Sequence, residues 1–119
     1  MAFGVCEALK AKQVYWAEKE GIEPLRFRQF LEPSPGEPVV LVDDILRSGN
    51  KLCQLKKLLE SRGARVVALA VVIYQPTPKT VDFHPLPFYH LAQLDAMYYT
   101  DAAHCELCKK GVPLQTVWV

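Results

Sequence analysis

The sequence predicts an α/β fold: a mostly parallel sheet with flanking helices and one βαβ unit. Three observations carry that prediction. Val39–Val42 is a run of four apolar residues, as in a strand covered on both faces. Lys51–Arg62 places Leu52, Leu55, Leu58 and Leu59 at helical spacing, with Lys56, Lys57 and Glu60 on the opposite face. Val66–Ile73, within Arg65–Ile73, reads as a second buried strand. Strand, helix and strand in that order make a right-handed parallel crossover.

The remaining elements follow from period and punctuation. Ala2–Ala11 is a short helix candidate, and Gln13–Ala17 is rich in β-formers and reads as a strand. Gly21–Phe30 sets Ile22, Leu25, Phe27 and Phe30 among Glu23, Arg26, Arg28 and Gln29, the pattern of an exposed hairpin or mobile flap. Glu32–Pro38 holds three prolines and a glycine and reads as a turn, because the segments on either side are too short to fold separately. Gly63 is placed to stop the helix. Beyond the second strand, Pro78, Pro85 and Pro87 break regularity, Phe88–Tyr99 supplies a strand or a short helix, and the last residues read as irregular. The whole of 1–119 is expected to be a single domain.

The segment with most chemistry is VVLVDDILRSGN, Val39–Asn50, where a buried strand runs into two carboxylates and then a small-residue turn at the start of a helix. In open parallel sheets ligands bind beyond the carboxyl ends of the strands. Asp43 and Asp44 would stand at that end and accept hydrogen bonds from sugar hydroxyls. Ser48-Gly49-Asn50 would offer backbone N–H groups and the positive end of a helix dipole to a phosphate. Paired aspartates also suit the capping of a following turn, so the pattern by itself leaves both readings open.

VVLVDDILRSGNKL resembles the phosphoribosyl pyrophosphate (PRPP) motif of type I phosphoribosyltransferases: four apolar residues, two acidic ones, two apolar ones and a Ser/Thr-Gly-rich loop. QVYWAEKE and LRFRQFLEPSPGEPVVLVDD are similar to segments that flank this motif in the orotate phosphoribosyltransferase branch. VDFHPLPFYHLAQLDAMYY and CELCKKGVPL are similar to the end of one bacterial subgroup of that branch. The resemblance covers nearly the whole chain and implies a partial type I fold. MAFGVCEALKAK resembles the helix that follows the family's pyrophosphate-binding loop, so the resemblance implies a C-terminal portion that is truncated at its N-terminus.

The resemblance also implies roles. Asp43 and Asp44 would hold ribose hydroxyls, with Ile45, Leu46, Arg47, Ser48, Gly49, Asn50 and Lys51 completing the PRPP site. Lys19 would reach the pyrophosphate, in the family often from the neighbouring subunit of a dimer, and would act with Asp43 and Asp44 as the catalytic set. Mg²⁺ would arrive with PRPP. By charge pattern alone, Lys19 between Glu18 and Glu20 is a solvated loop lysine, and Arg26 and Arg28 are exposed hairpin charges. The chain departs from the branch at Arg47 and Lys51, where Thr or Ser is usual, and at Tyr74-Gln75, where the family commonly carries Asp-Arg; recognition of orotate is expected to change accordingly.

Cys105-x-x-Cys108, preceded by His104, is a weak metal candidate. Zinc needs about four ligands and only one such pair is present, with His84 or His90 as distant possibilities, so zinc is not expected. A thioredoxin-like role is disfavoured by a position near the C-terminus rather than at the start of a helix in a βαβ unit. Cys6 and Cys53 read as packing residues.

Composition sets the outer bounds. The chain has 119 residues, 50% hydrophobic, with a formal net charge of +1. Basic and acidic residues interleave, so a nucleic-acid footprint is missing. No apolar run approaches the roughly 20 residues of a spanning helix, no secretory signal opens the chain, and four irregularly spaced cysteines do not make a secreted disulfide framework. The expected setting is cytoplasmic. The leading expectation is a phosphoribosyltransferase-like enzyme of nucleotide metabolism, on the pyrimidine biosynthesis side, that transfers the phosphoribosyl group from PRPP to a nitrogenous base, orotate or related, and assembles as a homo-oligomer, a dimer or higher. The alternatives are a PRPP- or nucleotide-binding module without catalysis and a structural CxxC domain.

Overall fold

The computed structural model describes residues 1–19, 21, 23–28, 31–113 and 115. In chain order the elements are α1 (Ala2–Ala8), β1 (Ala17–Glu18), β2 (Arg26–Phe27), β3 (Pro38–Leu46), α2 (Asn50–Ser61), β4 (Arg65–Tyr74), β5 (Phe88–Gln93) and α3 (Glu106–Lys109). β3, β4 and β5 form one parallel sheet in that order, and β1 pairs antiparallel with β2 as a small separate ladder.

The βαβ unit forms where the apolar periods place it. α2 turns Leu52 and Leu59 inward against Leu41, Leu69 and Val71 of the sheet. Leu69 is fully buried at 0% exposure. Gly63 stops the helix as expected: with φ of 81° it lets its own N–H bond Glu60 O at 3.0 Å and the Ala64 N–H bond Leu59 O at 3.0 Å, the paired bonds of a Schellman ending. Pro38 then lies opposite Arg65 and Leu46 opposite Tyr74, so β3 and β4 run in register apart from one irregularity at Val39/Val40.

Several expectations change. The strand expected over Gln13–Ala17 shrinks to Ala17–Glu18; just before it, Trp16 O still accepts the Arg28 N–H at 2.9 Å. The helix expected to Ala11 ends at Ala8. Of the hairpin or flap expected over Gly21–Phe30, only β2 falls in that range; it pairs with β1, which lies before Gly21, and Ile22, Gln29 and Phe30 lie outside the described residues. Phe88–Tyr99 supplies a strand only to Gln93. A four-residue helix, α3, stands where irregular chain was expected, with Cys105 as its N-cap, so the CxxC pair does open a helix, though not one in a βαβ unit.

Candidate functional site

β3 continues past the apolar run to Leu46, which places Asp43 and Asp44 in its second half and not beyond its end. Strand alternation sends the two carboxylates to opposite faces. The Asp43 side chain is 18% exposed and meets Lys51 Nζ of α2 at 3.4 Å, so it shares the α2 face; Asp44 is exposed. Each carboxylate accepts the backbone N–H that follows it, Asp44 N–H to Asp43 Oδ1 at 3.1 Å and Ile45 N–H to Asp44 Oδ1 at 2.7 Å.

The turn from β3 into α2 is built on Gly49, the N-cap of α2, with φ of 79°. It supplies no capping side chain, which leaves the first turn of α2 dependent on outside acceptors for its amides. Ser48 Oγ stands 3.4 Å from the Asn50 N–H. The turn is held from behind by the chain after β4: Thr80 Oγ1 donates to Arg47 O, and Val81 N–H donates to Ser48 O at 2.9 Å. A Cβ at Gly49 would come 3.0 Å from Phe83 Cε2 and 3.2 Å from Val81 Cβ.

Beside this turn lies a cavity of about 430 Å³ lined by Leu46, Tyr74, Thr80, Phe83, His84 and Phe88, among others. Tyr74 meets Phe88 edge-on, ring centres 5.0 Å apart, and lies 5.4 Å from the His90 ring. The Gln75 N–H bonds Leu46 O at 2.9 Å.

The fold therefore brings Asp43, Asp44, Ile45, Leu46, Arg47, Ser48, Gly49, Asn50 and Lys51 into one strand end and turn. Lys19 is exposed directly after β1, and it takes no part in the hydrogen bonds or ion pairs of that turn among the described residues. Sequence reasoning missed Thr80, Val81 and Phe83. Thr80 lies 33 residues from the carbonyl it holds, and no local pattern signals such a pairing. Among the described residues, no group of three or more His, Cys, Asp or Glu side chains is arranged to hold a metal ion. His90 is instead packed with Tyr74 and Phe88.

Comparison with known proteins bears directly on this strand-turn-helix. A family model described as a phosphoribosyl transferase domain matches residues 17–86, more than half of the chain and all of the turn with its buttress. The chain belongs to the phosphoribosyltransferase family. Among curated phosphoribosyltransferases, orotate phosphoribosyltransferase from Thermotoga maritima is 34% identical over 115 residues, which is 97% of this chain and 59% of that protein. Orotate phosphoribosyltransferase from Thermus thermophilus is 29% identical over 117 residues, 98% of this chain and 62% of that protein. The chain thus spans about three fifths of the length of these relatives. An adenine phosphoribosyltransferase structure from Thermoanaerobacter pseudethanolicus superposes with a TM-score of 0.52 at 21% identity, over 71% of this chain and 51% of that one, which supports the fold. No helix among the described residues is long and apolar enough to cross a membrane.

Proposed function

We propose that residues 1–119 act as a single phosphoribosyltransferase-like domain that binds PRPP and transfers its phosphoribosyl group to a nitrogenous base, releasing pyrophosphate. The observation that carries this reading is the left-handed Gly49 turn at the N-terminus of α2, directly after the Asp43-Asp44 strand end and inside the family match. In this reading the amides at Ser48–Lys51 receive the 5-phosphate, helped by the α2 dipole, and Lys51 adds a cation at its edge. Its ion pair with Asp43 is exposed on the lysine side, worth at most about 1 kcal/mol, and gives way readily to a phosphate. Asp43 and Asp44 hold ribose hydroxyls.

Bond breaking at the anomeric carbon develops positive charge on the sugar, so the residues contribute chiefly by positioning and by fixed negative charge. Two carboxylates on opposite faces do not make a protein cage for Mg²⁺. Asp43 or Asp44 would hold a Mg²⁺ that arrives with PRPP, and the ion would supply positive charge to the leaving pyrophosphate. The base is assigned to the cavity beside Tyr74, whose lining mixes aromatic faces with a few polar groups, as small-molecule sites do. The two curated relatives are named for orotate, and orotate or a related base is the first candidate, with Arg47 and Tyr74-Gln75 as the residues that set the choice. A cytoplasmic setting suits four cysteines that are all free thiols. That Lys19 makes no hydrogen bond or ion pair with the turn among the described residues favours one second reading, a PRPP-binding module without turnover.

Thermal unfolding with PRPP and Mg²⁺ tests the binding reading. A ligand at a hundredfold excess over its Kd adds about 2.7 kcal/mol, on the order of 10 °C for a chain this size. Asp43→Asn with Asp44→Asn is expected to abolish the shift, and an equal shift in the double variant would refute the assignment. Pyrophosphate release with a panel of orotate, uracil, adenine and hypoxanthine then separates transferase from binding module.

A further inference from the structure

The CxxC motif has no part in the reading above, and its geometry is specific. Cys105 is the N-cap of α3, and its Sγ accepts the Cys108 N–H at 3.4 Å. Cys105 and Cys108 are three residues apart on a single helical turn, a spacing that sets both side chains on one face. We propose that Cys105 and Cys108 form a dithiol that closes reversibly to a disulfide by exchange with a low-molecular-weight disulfide, a redox-modification site on the tail of this protein.

The two sulfurs have different roles. The Cys108 backbone N–H, foremost, and the Cys108 thiol pull the Cys105 thiol below its ordinary acidity range, against desolvation and the nearby Glu106 carboxylate. The neighbouring Cys105 side chain, then desolvation, pushes Cys108 up. Cys105 is therefore the attacking thiolate and Cys108 the resolving thiol. Cys105 is half-buried and Cys108 exposed, so a small disulfide has access. The other two thiols lack this arrangement: Cys6 donates to Ala11 O at 3.3 Å, and Cys53 is half-buried on α2. His104, next in sequence, is engaged with Asp101, its Nδ1 2.7 Å from Oδ1.

The chemistry balances in two exchanges. The Cys105 thiolate attacks one sulfur of RS–SR, the Cys105–SR bond forms, the RS–SR bond breaks, and RS⁻ leaves and takes a proton. Cys108 then gives its proton to solvent and attacks the Cys105 sulfur, the Cys105–Cys108 bond forms, and the second RS⁻ leaves. Two cysteine thiols are oxidised by two electrons in all, and RS–SR is reduced to two thiols.

The test is incubation of the full chain with oxidised glutathione, followed by alkylation and peptide mass spectrometry. The expected product is a Cys105–Cys108 linkage that protects both thiols and is reopened by dithiothreitol, while Cys6 and Cys53 remain alkylatable. Cys108→Ser should trap a glutathione adduct on Cys105, and Cys105→Ser should accumulate adduct on Cys108 more slowly, because of the two only the Cys105 sulfur accepts a backbone N–H among the described residues. α3 buries no residue, so neither serine variant threatens the fold. Absence of the linkage at every glutathione ratio overturns the proposal. Equal adduct rates in the two variants overturn the assigned roles, and stoichiometric zinc that shields both thiols overturns the dithiol itself.

Discussion

Gly49 carries two requirements at once, a backbone φ of 79° and the close approach of Phe83 and Val81 to the place a Cβ would occupy. Either alone disfavours a side chain; together they exclude one without movement of the ring. Gly49→Ala is expected to cost about 1–3 kcal/mol of stability and to weaken phosphate-ligand binding, measured by urea unfolding and by the PRPP thermal shift, with unchanged values in both counting against the crowded turn. The glycine and its neighbours Asp43, Asp44 and Ser48 were legible in the sequence, because a left-handed turn and acceptors for hydroxyls demand particular residue types. Thr80, Val81 and Phe83 were not, since a threonine after a proline-rich stretch looks the same whether or not it holds a carbonyl across the site.

Among the elements, α2 and β4 were legible to within a residue or two, since each buries an apolar face with a clear period. The weak elements were not. β1 and β2 have two residues each and α3 has four, too few to establish a period. The stretch before β1 is tied to β3 by polar contacts instead: Tyr15 Oη donates to Glu37 Oε1 at 2.9 Å, and Glu37 Oε2 also accepts the Ser34 N–H at 2.8 Å. Desolvation, then the Glu37 hydrogen bond and charge, raise the Tyr15 phenol above its ordinary 10.0. A group with a raised folded-state value favours the folded state below its unfolded value and loses that contribution as pH climbs toward the folded one. Stability is therefore expected to fall from about pH 10 upward, and Tyr15→Phe should flatten that part of the profile. An identical slope in the variant would mean that other groups govern alkaline unfolding.

The whole molecule is more extended than its length requires. Its radius of gyration is 17.2 Å, against about 13–14 Å for a compact chain of this size. Two surfaces are left open. Among the described residues β3 has a strand neighbour on one side only, and a trough of about 760 Å³ runs along β3, lined also by Val5 and Leu9 of the α1 region and by Leu55 and Leu59 of α2. β5 turns Tyr89 and Leu91 outward, Leu91 at 85% exposure. An open strand edge and exposed apolar side chains favour pairing with another chain, so light scattering should find a dimer or larger species at micromolar concentration. A single monomeric species would show that these surfaces stay solvated.

The strap that ties Thr80 to Arg47 and Val81 to Ser48 belongs to two neighbourhoods, since Thr80 and Val81 also wall the cavity beside Tyr74. A molecule seated in that cavity and an anion seated on the turn share one piece of backbone, so neither can settle without setting the other's geometry. Such sharing is a coupling free energy, and it is reciprocal: the factor by which the first occupant alters affinity for the second is the factor by which the second alters affinity for the first.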